Sequence, residues 1–201
     1  MNIGIIGGTF DPIHNGHILI AREVKARLKL AEVIFVPAGQ PWMKSEKPIT
    51  PAVHRLEMVR MAIAPYPYFK VSTMEVDRVG PTYTFDTILG LRAKLNAEGE
   101  VYFILGWDSL AQFPRWRDVP RLINMCRLAA VPRQGYTLPD LNALEDKIPG
   151  LSGRVVLLDK PEIDISATDI RQRVAHGLSI NHLVPRVVAI YIRKHRLYLT
   201  P

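Results

Sequence analysis

Residues Ile3 to Leu28 read I-G-I-I-G-G-T-F-D-P-I-H-N-G-H-I-L-I-A-R-E-V-K-A-R-L, and this stretch decides the fold. The apolar run Ile3 to Ile6 predicts a buried strand, and the amphipathic run Ile18 to Leu28 predicts a helix. Gly7 and Gly8 lie between them, where a chain must turn tightly and can approach a ligand closely. Asn15 is the expected helix cap, which puts His14 just before the helix and His17 in its first turn. A helix N-terminus carries unpaired N–H groups and the positive end of the dipole, so it favours phosphate. Strand, glycine turn and helix with two imidazoles at the mouth read as a nucleotide phosphate site that does chemistry.

The rest of the chain repeats the alternation. Continuous apolar runs at Val33 to Val36, Val101 to Leu105, Leu128 to Val131 and Val155 to Leu158 predict strands buried on both faces, with a further strand around Phe69 to Ser72. Helical patterns fall between and after them: Ala52 to Ile63, Phe85 to Leu95, Pro120 to Met125, Thr168 to Val174 and Pro185 to Arg193. Pro185 suits a first helical turn. The expectation is an α/β, Rossmann-like, doubly wound and mostly parallel sheet with helices on both faces. The 201 residues suit one domain, residues 1–201, whose end from about residue 160 is mainly helical. Arg133 to Gly153, rich in proline and glycine, reads as a surface excursion. Ligands of such sheets bind at the carboxyl ends of the strands. Gly7 to His17, Pro37 to Lys44, Gly106 to Ser109 and Ile165 to Arg171 all follow strands, so they should converge on one edge.

Composition removes several classes of function. No apolar run reaches membrane-spanning length, and no secretory signal is expected at the N-terminus. A single cysteine, Cys126, makes no internal disulfide, so the cytoplasm is the expected compartment. Lysine and arginine number 26 against 19 acidic residues, a net charge of +7 that favours anionic partners. Part of that surplus, Arg193 to Arg196, falls at the end of a predicted helix, where cations suit the dipole better than they suggest nucleic acid. Zinc proteases place histidines at i and i+4 around a glutamate. Here the spacing is i and i+3, with Asn15 and Gly16 between, and no metal site is expected.

A second segment, I-S-A-T-D-I-R from Ile165 to Arg171, completes a pattern. H-N-G-H resembles the H-x-G-H signature of the nucleotidyltransferase superfamily, and the second segment resembles the I-S-x-T-x-I-R signature of its adenylyltransferases. P-T-Y-T-F-D-T (Pro81 to Thr87) and G-W-D-S (Gly106 to Ser109) fit as well, in the same order. Together they resemble the bacterial nicotinate-nucleotide adenylyltransferase family. The resemblance implies adenylyl transfer from ATP to nicotinate mononucleotide in NAD biosynthesis, giving deamido-NAD and pyrophosphate. It implies His14, His17 and Arg171 as catalytic phosphate ligands. It also implies an ATP site containing Gly7, Gly8, Thr9, Phe10, Gly16, Gly106, Asp108, Ser166 and Thr168. Ser166 and Thr168 can equally cap the helix that carries Arg171, and Asp108 can equally serve as a cap. Mg²⁺ is implied as ATP's companion, held by phosphates and waters, so no carboxylate cage is required. Asp11 stands close by, but Asp-Pro is also a good turn former.

For the acceptor, Pro81 to Thr87 reads as a loop entering a helix, with Thr82 or Thr84 as cap and Asp86 in the first turn. The resemblance assigns Lys44, Thr82, Tyr83, Thr84, Trp116 and Arg117 to nicotinate mononucleotide, with Trp116 stacking on the pyridine ring. Unpaired N–H groups there would favour a carboxylate over an amide. The chain departs from the family pattern at Met43, where a histidine is usual, and at Arg117, where an aromatic residue is usual. Arg55, on the following helix, is a candidate organiser of the Lys44 loop, with a solvated surface position as the alternative. Rival readings are an adenylyltransferase for nicotinamide mononucleotide or pantetheine phosphate, a class I aminoacyl-tRNA synthetase fragment, and a non-catalytic nucleotide-binding regulator. No K-M-S-K-S segment supports the synthetase. Small-molecule partners are expected, without nucleic acid or membrane, and a homo-oligomer is left open.

Overall fold

The computed structural model describes residues 1–41, 49–95, 99–161 and 164–199. From the N-terminus the chain forms β1 (Ile3–Gly8), α1 (Asn15–Arg27), β2 (Glu32–Pro37), β3 (Gln40–Pro41), α2 (Ala52–Ile63) and β4 (Phe69–Val71). It continues through β5 (Pro81–Thr82), α3 (Thr84–Leu95), β6 (Val101–Gly106), α4 (Trp107–Ala111), α5 (Val119–Met125) and β7 (Arg127–Val131). It closes with α6 (Leu141–Lys147), β8 (Val155–Leu157), α7 (Ala167–Ala175) and α8 (Arg186–Lys194).

Six strands form one sheet in the order β4-β2-β1-β6-β7-β8. Every pairing is parallel, with Ile5 of β1 opposite Ile34 on one side and Phe103 on the other. Successive residues point to opposite faces, and both faces are covered. Ile6, Val33, Phe35, Tyr102 and Ile104 join α1, α2, α7 and α8 in one apolar cluster. Ile5, Ile34, Phe103, Leu105 and Leu128 join α3, α5 and α6 in the other. This double burial explains why the strands are apolar without alternation. Strand order reverses between β1 and β6, so their carboxyl ends open the crevice in which such folds bind ligands.

Three local expectations are corrected. Helix α1 starts at Asn15, and His14, extended at φ −141°, is its cap in place of Asn15. Asn15 is held by the chain's other end: its backbone N–H donates to the Leu183 carbonyl at 2.9 Å and its side chain to that of His182 at 3.1 Å. Pro185 is likewise the cap of α8 rather than part of its first turn. The excursion from Arg133 to Gly153 holds a helix, α6, capped by Asp140 and anchored by buried Leu144. Two turns between Pro139 and Pro149 are too short to register as a period. α4 is shorter still and starts directly at the end of β6.

Candidate active site

The crevice at the ends of β1 and β6 is built from backbone first. Gly7 and Gly8 remain strand, opposite Val36 and Pro37 of β2. The left-handed turn comes two residues later than the glycines suggest, at Phe10 (φ 49°). A bulky residue in that region is strained by roughly 1–2 kcal/mol. Burial of the ring, 2% exposed against Phe35 and the edge of His17, offsets this. The Phe10 side chain is therefore core, and only its main chain is left to meet a ligand.

His14 and His17 come together as the motif predicts. Their rings stack at 3.6 Å between centroids, and the His14 backbone N–H donates to His17 Nδ1 at 3.2 Å. An accepting Nδ1 puts the proton of a neutral His17 on Nε2. His14 is 5% exposed, and its Nδ1 has no hydrogen-bond partner. Burial, helped by the Arg133 charge, pulls its pKa down to about 3, so the ring is neutral. Gly16 is buried in the first turn of α1.

Arg171, on α7, reaches the same loop. It donates to the Asp11 carbonyl at 2.8 Å and to Thr168 Oγ1 at 3.3 Å. The two motifs, 160 residues apart, thus share a direct hydrogen bond. Ser166 is the α7 cap, accepting from the Asp169 N–H at 3.3 Å, while Thr168 serves Arg171 rather than the cap. Asp11 is buried and committed: one carboxylate oxygen accepts from Tyr198 OH at 2.7 Å, the other from the Thr50 N–H at 3.2 Å. Among the described residues, no group of three or more His, Cys, Asp or Glu side chains converges on one point.

Gly106 caps α4 in extended geometry, and Asp108 folds back over it. A Cβ at Gly106 would sit 2.4 Å from Asp108 Oδ1, so a side chain there would expel the carboxylate. Asp108 Oδ2 pairs with Arg133 at 2.5 Å, and its buried Oδ1 has no partner. Arg133 was missed in the sequence because it belongs to no motif; its position two residues past β7 is the available signal.

On the acceptor side, Thr82 is no cap. It lies 4% exposed in β5, which pairs with β3, and its hydroxyl donates to the Gln40 carbonyl at 3.4 Å. Thr84 is the first residue of α3. The Arg117 guanidinium lies 4.8 Å over the Tyr83 ring and 3.7 Å from Asp86, which Arg78 also approaches at 3.8 Å. Trp116 packs edge-on against Phe103 and at a tilt against Phe113, is part-buried, and keeps an unpartnered Nε1. Glu75 is buried beneath this corner. It accepts from Thr87 at 2.6 Å, and burial raises its pKa. Lys44 and Met43 lie outside the described residues.

Arg55 resolves its two readings decisively. It is 1% exposed and donates to the carbonyls of Thr9, Ala38, Thr50 and Gly39 at 2.7, 2.7, 2.8 and 3.1 Å. It ties the loop after β1, the loop after β2 and the approach to α2 into one body.

A cytidylyltransferase-like family model matches residues 5–173. A Dehalococcoides mccartyi protein named probable nicotinate-nucleotide adenylyltransferase is 52% identical over 98% of this chain and 97% of its own. A Roseiflexus relative of the same name is 46% identical over the same shares. The chain belongs to the nicotinate-nucleotide adenylyltransferase family. The fold also matches a solved Plasmodium falciparum nicotinic acid mononucleotide adenylyltransferase complexed with NaAD. That match has a TM-score of 0.79 at 22% identity and covers 100% of this chain and 98% of the other.

Proposed function

We propose that this chain transfers the adenylyl group of ATP to nicotinate mononucleotide, releasing pyrophosphate and forming NaAD for NAD biosynthesis. One observation carries the site assignment: the Arg171 bond to the Asp11 carbonyl joins both family motifs at the mouth of α1. Relatives near 50% identity across the whole chain support the acceptor. The first apolar cluster runs from Ile6 to Ile192, which supports a single domain over residues 1–201.

The acceptor phosphate is already an anion, so attack on the α-phosphorus needs no strong base. One phosphate oxygen bonds to that phosphorus while the bond to the β-phosphate bridge breaks, and pyrophosphate leaves with the electron pair. Catalysis then rests on alignment and on stabilising charge on the transferring and leaving groups. The N-terminus of α1, His17 Nε2–H and the Arg171 fork supply that stabilisation, with Gly7, Gly8, Thr9, Phe10 and Gly16 contributing main chain. A phosphate oxygen beside His14 Nδ1 would supply its missing partner. Mg²⁺ bound to ATP adds charge neutralisation. Asp108, held beside Gly106, faces the adenosine, and Ser166 and Thr168 hold the helix beneath Arg171. Trp116 offers its face to the pyridine. Arg117, the main chain of Thr82 to Thr84 and Lys44 offer positive charge and N–H groups to the carboxylate and phosphate. An amide there would bring donors against donors and lose the charge.

We place this reaction in the cytoplasm, with small molecules as partners. The test is pyrophosphate release with Mg-ATP and, in parallel, nicotinate mononucleotide, nicotinamide mononucleotide and pantetheine phosphate. Fast turnover with the first and much slower turnover with the others supports the proposal. Preference for another acceptor overturns the substrate, and ATP binding without turnover on any acceptor supports the regulator instead.

A further inference from the structure

The chain's last described turn reaches into the phosphate loop. After α8, left-handed residues at Arg196 (φ 53°) and Tyr198 (φ 64°) fold the chain back, and the Leu197 N–H bonds to the Ile192 carbonyl at 3.0 Å. Leu197 and Tyr198 pack against the first apolar cluster, which steadies an aromatic residue in a conformation it rarely adopts. The Tyr198 hydroxyl then donates to Asp11 Oδ1 at 2.7 Å. The same Asp11 receives the Thr50 N–H on its other oxygen and, through its carbonyl, Arg171. Asp11 is therefore a junction. Its side chain is held by the C-terminal turn, and its peptide holds the phosphate-binding arginine.

We infer that Tyr198 is a positioning residue for adenylyl transfer: its hydroxyl, acting through Asp11, fixes the peptide that aims Arg171 at the phosphates. Burial and the neighbouring Asp11 charge raise the phenol's pKa, so the hydroxyl keeps its proton and donates throughout the physiological range. A hydrogen bond to a carboxylate is among the stronger kinds, and small displacements of a catalytic group cost rate steeply. The inference rests on the proposed adenylyl-transfer reaction.

The experiment is a double-mutant cycle of Tyr198→Phe with Arg171→Lys, read as kcat and KM for each substrate, with a thermal melt of every variant. Tyr198→Phe should lower kcat about ten-fold in the wild-type background, leave KM for nicotinate mononucleotide within about two-fold, and remain folded. In the Arg171→Lys background, where the guanidinium bond to the Asp11 carbonyl is already lost, the same change should cost less than about two-fold. Equal factors in both backgrounds, or no loss in the wild type, would overturn the inference. If the phenylalanine variant melts early, Asp11→Asn replaces it, since an amide offers one acceptor oxygen to two donors. The same background dependence is then required. An active wild type with an unaffected Tyr198→Phe defeats this inference alone, whereas an inactive wild type defeats the reaction and the inference together.

Discussion

Replacing Arg55 by Met keeps much of the side-chain volume and removes every donor. Four carbonyls lose a bond: those of Thr9 and Ala38 at 2.7 Å, Thr50 at 2.8 Å and Gly39 at 3.1 Å. A buried acceptor left unpaired costs about 1–3 kcal/mol. Against that, the variant escapes the cost of burying a cation, which is visible in the lowered Arg55 pKa. Counting mainly the three shorter bonds and allowing for this offset, the net loss is about 3–5 kcal/mol. At roughly 2–4 °C per kcal/mol for a chain of this size, Tm should fall by about 6–20 °C. Because the freed carbonyls belong to loops around the crevice, kcat/KM should also drop at least about ten-fold well below the melt. Lysine should rescue little, since one ammonium cannot span four carbonyls. Thermal melts and urea titrations give the stability, and pyrophosphate release gives the activity. A methionine variant with Tm within about 2 °C of wild type and unchanged kcat/KM would show that Arg55 does not clasp these loops.

His14 makes stability depend on acid. Its folded pKa, about 3, lies below the unfolded value of 6.5, so between the two only the unfolded chain binds the proton. Stability is therefore full above 6.5 and lost as pH falls toward 3, by up to about 4–5 kcal/mol from this group. His14→Gln should flatten urea midpoints measured across that window, and an unchanged slope would contradict a buried neutral ring. Trp116→Ala should raise KM for nicotinate mononucleotide about ten-fold or more, as loss of one stacking partner does, and leave KM for ATP nearly constant. Equal damage to both would make the tryptophan structural.

The sheet could be read from the sequence because its strands are buried on both faces, and continuous apolar runs such as Val33 to Val36 carry that signal directly. The two motifs were equally readable, since local spacing puts His14 at the cap of α1, His17 in its first turn and Arg171 one turn into α7. What escaped was decided by contacts between distant segments. Nothing local in Arg55 distinguishes a buried clasp from a solvated helix face; four carbonyls from three loops decide it. Arg133, Tyr198 and the carboxylate role of Asp11 have the same origin. The glycines drew the turn toward Gly7 and Gly8, yet the left-handed residue is Phe10, where ring burial outweighs the backbone cost. α4 and α6 were lost because a helix of one or two turns shows no period.

We propose that H-N-G-H and the Arg171 motif form one site that directs attack to the α-phosphorus of ATP. The most direct measurement follows the label from ATP carrying ³²P at the α position, incubated with magnesium, nicotinate mononucleotide and the protein. The label should appear in NaAD, with none in the released pyrophosphate, and Arg171→Lys should slow its transfer. Label appearing in pyrophosphate, or in AMP with no dinucleotide formed, would rule out attack by the mononucleotide on the α-phosphorus.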